Sequence, residues 1–159
     1  MIKVTKYVCG GLSCSHDIHY FNSTTGDLFR FGFDSSVSAE VTKCLLDLGN
    51  FVSVITEVDK VSVKKVEFTT DPRNGMDSCK LECVIYTAHG KGKIIPPRIT
   101  YERKMGIDYF TGERFVKIHS PNDIPEEVIK SVINLNEELA RFVSKSAKNA
   151  QMELFSDAM

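Results

Sequence analysis

At 159 residues, with 42% hydrophobic and 26% charged side chains, the chain is long enough for one self-supporting core and is expected to be a globular protein. A formal net charge of −1 excludes a globally basic nucleic-acid binder but leaves room for a local basic groove. No apolar run approaches a membrane span, the N-terminus lacks a secretory leader's apolar centre, and 5 cysteines, an odd number, suit a reducing compartment; a cytoplasmic protein with no membrane partner is expected, its oligomeric state open.

Residues 2–8 alternate as a strand with Ile2, Val4 and Val8 on one face. Residues 17–22 and 27–33 flank Ser-Thr-Thr-Gly, and that glycine supplies the freedom of a hairpin loop. Phe29, Phe31 and Phe33 then share one face, an apolar surface that needs a cover. The next segment is the natural candidate. Val37, Val41, Cys44, Leu45 and Leu48 recur with helical period over about 35–48, with Asp34, Ser35 or Ser36 as cap and Gly49 as stop.

Residues 51–58 read as a strand, and so do 61–69. In the latter the apolar parity switches from Val61 and Val63 to Val66 and Phe68, which requires an inserted residue, a bulge at Lys64-Lys65. Asp71-Pro72-Arg73-Asn74-Gly75 is a turn. Residues 79–87 and 93–101 follow as strands, with Pro96-Pro97 confining the second to an edge or breaking it. A hairpin over 109–118 turns at Thr111-Gly112.

The last helix, about 123–147, opens with Asp123 as cap, Pro125 in the first turn and Glu126 in the capping-box position. Its apolar seam is Val128, Val132, Leu135, Leu139 and Phe142. The order predicts an α+β fold: an antiparallel β-sheet packed by one helix, with a long C-terminal helix. The expected organisation is a body over 1–122, a helix and tether over 123–149, and a tail over 150–159.

Several constellations bear chemistry. Cys9, Cys14, His16 and His19 have ligand types suited to zinc, but their spacing is poor for a knuckle, and a loop with a buried thiol and exposed histidines is the plainer reading. Cys79 and Cys83 share parity with Leu81 and Ile85 and read as small core residues, as does Cys44 on its helix. His89-Gly90-Lys91-Gly92-Lys93 would let backbone N–H groups approach an anion, yet it lacks a phosphate-binding loop pattern. Lys60, Lys64, Lys65, Lys91, Lys93, Arg98, Arg103 and Lys104 would line a groove for single-stranded DNA, with Tyr101, Tyr109 and Phe110 as stacking surfaces. The competing reading is charge on solvated strand faces. Asp71, Asp77, Glu82 and Asp108 would have to converge to form a nuclease site, and nothing in their spacing requires it.

Near the C-terminus stands Gln151-Met152-Glu153-Leu154-Phe155, after a stretch, Ser-Lys-Ser-Ala-Lys-Asn-Ala, that packs little. Two adjacent large apolar groups and a primary amide are what a short peptide needs to dock with fixed register. The alternative is that Leu154 and Phe155 continue the apolar face of the helix. The pentapeptide resembles the bacterial sliding-clamp-binding motif, Gln-x-x-Leu-Phe, carried by many polymerases, repair proteins and mobile-element replication proteins.

The resemblance implies that Gln151 anchors by hydrogen bonding, Met152 and Leu154 fill an aliphatic subsite, and Phe155 fills an aromatic one. It also implies the β sliding clamp as partner, inside a bacterial host cell. The expected function is that of a phage-type or mobile-element accessory protein in DNA replication or recombination, with weak single-stranded DNA binding, no catalytic role and no cofactor. One alternative is an anti-defence or regulatory protein that binds a host protein or a signalling nucleotide. Another is a metal-dependent enzyme.

Overall fold

Strand and helix periods in the sequence resolve into β1 (Ile2–Cys9), β2 (His16–Asn22), β3 (Leu28–Phe33), α1 (Ala39–Thr56), β4 (Val61–Thr70), β5 (Asp77–Thr87), β6 (Gly90–Ile94), β7 (Ile99–Ile107), β8 (Arg114–His119) and α2 (Glu126–Ala158). The structure is a computed structural model; it describes residues 2–9, 15–34 and 36–146, and the backbone of α2 to Ala158. The described strands pair antiparallel in the order β3-β2-β1-β4-β5-β7-β8, with β6 on the same edge of β5 as β7. The sheet supplies Val4, Tyr7, Ile18, Val66, Leu81 and Ile99 to a single core. α1 closes it with Val41, Leu48 and Val52, and α2 with Ile129, Val132, Leu135 and Leu139. This is the expected α+β architecture.

Two bulges set which side chains face that core. One falls between Val63 and Lys65, where the parity switch requires it. A second falls between Val4 and Lys6, so Tyr7 rather than Val8 joins Val4 on the buried face. Pro96-Pro97 breaks the strand expected over 93–101 into β6 and β7.

The strand expected over 51–58 is instead the second half of α1. Val52 extends the buried stripe of Val41, Cys44 and Leu48 by one more turn, and burial on that stripe outweighs the β-propensity of Val52, Val54 and Ile55. The helix is capped by Ser38, whose Oγ accepts from the Val41 N–H at 3.3 Å, not by a residue over 34–36. Gly49 does not stop it. A Cβ there would stand 3.0 Å from the Val61 carbonyl oxygen, so glycine serves the close approach of α1 to β4. The stop is Glu57, in the left-handed region at φ 58°.

α2 opens at Glu126, and Asp123 is no cap: it takes φ 56°, a conformation aspartate tolerates. The first turn is closed by the Pro125 carbonyl, which accepts from Val128 at 3.1 Å and Ile129 at 3.3 Å. Phe31 and Phe33 lie with ring centroids 6.4 Å and 4.8 Å from Phe142, so α2 covers the Phe-rich face that α1 was expected to cover. The cause is topological: β3 is the edge strand beyond β2, whereas α1 packs on β4 and α2.

The backbone of α2 passes the end expected near 147, in a segment without glycine or proline. The side chains beyond 146 lie outside the described residues, and with them Gln151, Met152, Leu154 and Phe155.

Candidate functional site

The sheet splits at one end. β1 pairs with β4 only through residues 6–8 and 65–67; past the bulge in β1, the described ladder does not continue from Ile2, Lys3 and Val4 to Phe68, Thr69 and Thr70. The split opens a cleft of about 570 Å³ under α2, within the range of small-molecule sites. Its floor is apolar, formed by Ile2, Phe68 and Tyr101, and Ile133 and Ala140 face it from α2.

A polar chain crosses the rim. Lys3 Nζ donates to Thr70 Oγ1 at 2.9 Å, and Thr70 Oγ1 donates to Asp77 Oδ1 at 2.6 Å. Arg103 Nε lies 4.0 Å from the other Asp77 oxygen, and the guanidinium sits 5.9 Å from the Tyr101 ring centroid. From the helix side, Asn136 Nδ2 donates to the Val4 carbonyl at 2.9 Å, satisfying a backbone group beside the bulge. Burial raises the pKa of Tyr101, so its phenol stays protonated. Three cations (Lys3, Arg103 and Arg141), two carboxylates (Asp77 and Glu137) and the hydroxyls of Thr69, Thr70 and Ser78 therefore line the cleft around an apolar floor.

The proposed basic groove is dispersed over the sheet. Lys65 is bound to Glu67 at 2.9 Å and to Glu82 at 3.8 Å, and Lys93 to Glu82 at 3.0 Å. The Lys93 ammonium beside Glu82 holds that carboxyl below its ordinary pKa, and Lys65 does the same for Glu67. Lys64 sits at the β4 bulge. Lys91 lies 5.7 Å over the Tyr86 ring. Arg98 is exposed, with its carbonyl accepting from Asn122 at 3.1 Å. Tyr101 is buried, which withdraws its ring from stacking. Arg103, Lys104, Tyr109 and Phe110 instead share the β7–β8 hairpin.

The four carboxylates do not converge either. Asp71 organises the β4–β5 turn, Asp77 is in the cleft, Glu82 is held by lysines, and Asp108 organises the β7–β8 turn.

Of the zinc candidates, Cys14 lies outside the described residues. β2 places His16 and His19 on opposite faces. His16 is buried, contrary to the exposed position expected, stacked between Tyr7 and Phe33 at 5.9 Å and 4.9 Å, with its Nδ1 2.7 Å from the Tyr7 hydroxyl. Burial raises the pKa of Tyr7, which keeps its phenol protonated. Among the described residues no group of three or more His, Cys, Asp or Glu side chains is placed to hold a metal ion.

No protein-family model matches this chain, and comparisons with curated proteins and with solved structures give no match. The cleft was missed at the sequence level. Local parity puts Ile2, Val4 and Val8 on one face and gives no sign of the bulge that brings Tyr7 to the buried side of β1.

Proposed function

We propose that this chain is an accessory protein of a phage or mobile-element replication or recombination module, which engages the bacterial β sliding clamp through Gln151, Met152, Leu154 and Phe155. The observation that carries the reading is the Gln-x-x-Leu-Phe spacing. It is supported by the seam of α2, whose last buried described side chain, Val143, lies about two helical turns upstream of Gln151.

The primary amide fixes register, and the paired apolar side chains provide affinity that ordering costs reduce to an exchangeable contact. Tethering then raises the concentration of the folded body near the clamp. In a capture assay on immobilised clamp, Leu154→Ala with Phe155→Ala is expected to weaken binding roughly 100-fold, because burial of two large apolar groups is lost. A synthetic peptide of residues 150–159 should compete. Undiminished capture by the double variant removes the reading.

The cleft favours a second reading, a regulatory protein that binds a small nucleotide between Lys3, Arg103 and the apolar floor. Adenosine monophosphate and a cyclic dinucleotide, each titrated at millimolar concentration, should shift the NMR resonances of Ile2, Ile133 and Tyr101. An unperturbed spectrum rejects it.

A further inference from the structure

Three hairpins in this protein turn on the same six-residue design. In residues 22–27, 71–76 and 108–113 the first residue is Asn or Asp and the fifth is a glycine in the left-handed region, at φ 78°, 70° and 72°. In each, the glycine N–H donates to the first residue's carbonyl, at 2.8, 2.8 and 2.7 Å. The third residue's N–H donates to the first residue's side chain, at 2.9, 2.8 and 2.9 Å. The bonds common to the three turns use no side chain of the second or third position. Those positions are Ser23-Thr24 in the first turn and Pro72-Arg73 in the second.

In the third turn those positions are Tyr109 and Phe110, 96% and 100% exposed. Two large rings in water at adjacent positions serve neither the turn nor the core, and exposed aromatic surface of this kind marks a contact site. The hairpin beneath them stands clear of the main sheet. Only residues 99–101 of β7 pair with β5, and 102–107 pair with β8 alone. Within this arm Lys104 lies directly opposite Lys117, a like-charge cross-strand pair that costs stability unless an anion is brought to it. Arg114 adjoins the turn, and Arg103 lies at the base. Of the arm's carboxylates, Asp108 is spent on the turn, Glu102 lies 3.9 Å from Lys104, and Glu113 is exposed beside Arg114.

We propose that the β7–β8 arm binds single-stranded nucleic acid, with Tyr109 and Phe110 stacking on bases and Lys104, Lys117 and Arg114 holding the phosphates. Rings paired with cations on a narrow ribbon match the alternation of base and phosphate along a strand whose bases are unpaired. A duplex hides the base faces, so it binds more weakly. The inference does not depend on the C-terminal motif, and arm variants should leave any clamp capture unchanged.

The test is fluorescence anisotropy with a labelled mixed-sequence single-stranded oligonucleotide, as DNA and as RNA, and with the corresponding DNA duplex, at two salt concentrations. Wild-type protein should prefer single strands, with affinity falling as salt rises. Tyr109→Ala with Phe110→Ala should weaken binding at least about tenfold while melting like the wild type, since neither ring is buried. Lys117→Gln separates binding from stability. It removes the like charge opposite Lys104 and leaves the Lys104–Glu102 pair in place, so the fold should be retained, yet it should weaken binding and lower the salt slope by about one.

Any of three results overturns the proposal: no binding at low salt, binding unaltered by loss of both rings, or a preference for duplex. Rings that instead drive self-association in sedimentation, or partition onto phosphatidylcholine vesicles, without oligonucleotide binding, overturn it in favour of those occupants.

Discussion

His16 shows how one residue acquires a role from its surroundings. Its imidazole is enclosed by Tyr7 and Phe33, and burial lowers its pKa below the ordinary 6.5, with Asp34 opposing. A group harder to protonate in the folded chain contributes stability that is fully present above about 6.5 and is lost as pH falls below it, because the unfolded chain takes up the proton first. His19 is shifted the same way, by burial and then by Lys6 and Arg30. The denaturation midpoint should therefore fall between about pH 7 and about pH 5. His16→Gln should flatten that fall in parallel urea titrations, leaving the part due to His19; equal slopes in the two proteins contradict the assignment.

The cysteines tell the same story in simpler form. Burial pushes the Cys79 thiol up to about 12 and Cys83 up to about 11, so both are packing groups rather than nucleophiles, as their parity in β5 implied.

Among the elements, α2 does the most. It closes the core over β1, roofs the cleft with Ile133, Asn136 and Ala140, and lays Phe142 on Phe31 and Phe33. Phe142→Ala uncovers the edge hairpin while leaving Leu135 and Leu139 in place. It should cost about 2 kcal/mol, less than a fully buried phenylalanine, since Phe142 is half-buried. Amide exchange should rise in β2 and β3 before β5; uniform loss of protection would contradict a local role for this contact.

α1 carries the opposite lesson. Read alone, 51–58 has strand composition and Gly49 has the look of a stop. Burial of Val52 on the stripe of Val41, Cys44 and Leu48 carries the helix through both, and the close approach of Val61 explains why residue 49 is glycine. The turns were more legible: Gly26, Gly75 and Gly112 each mark one, although the third hairpin joins β7 to β8 and not residues 109–118, since β7 runs on to Ile107 past the end expected at 101.

At the scale of the whole molecule, the described core is complete by Val143. A chain ending at Ser146 should therefore keep the wild-type melting temperature and arm-dependent oligonucleotide binding while losing clamp capture. A large drop in melting temperature would mean that the last segment packs on the body, which contradicts the proposed tether. Body, arm and motif are thus separable by three measurements on three sets of variants.

The parity of β4 and β5, the β4 bulge, the turn residues and the burial of Cys79 and Cys83 were readable from the chain because each depends on neighbours only a few residues away. The dispersal of the lysines onto carboxylates, the burial of Tyr101, the split between β1 and β4 and the helix that covers Phe31 and Phe33 were not. They depend on which strands lie side by side, and strand order is settled by closing one shared core from distant parts of the chain, a competition that no local pattern records.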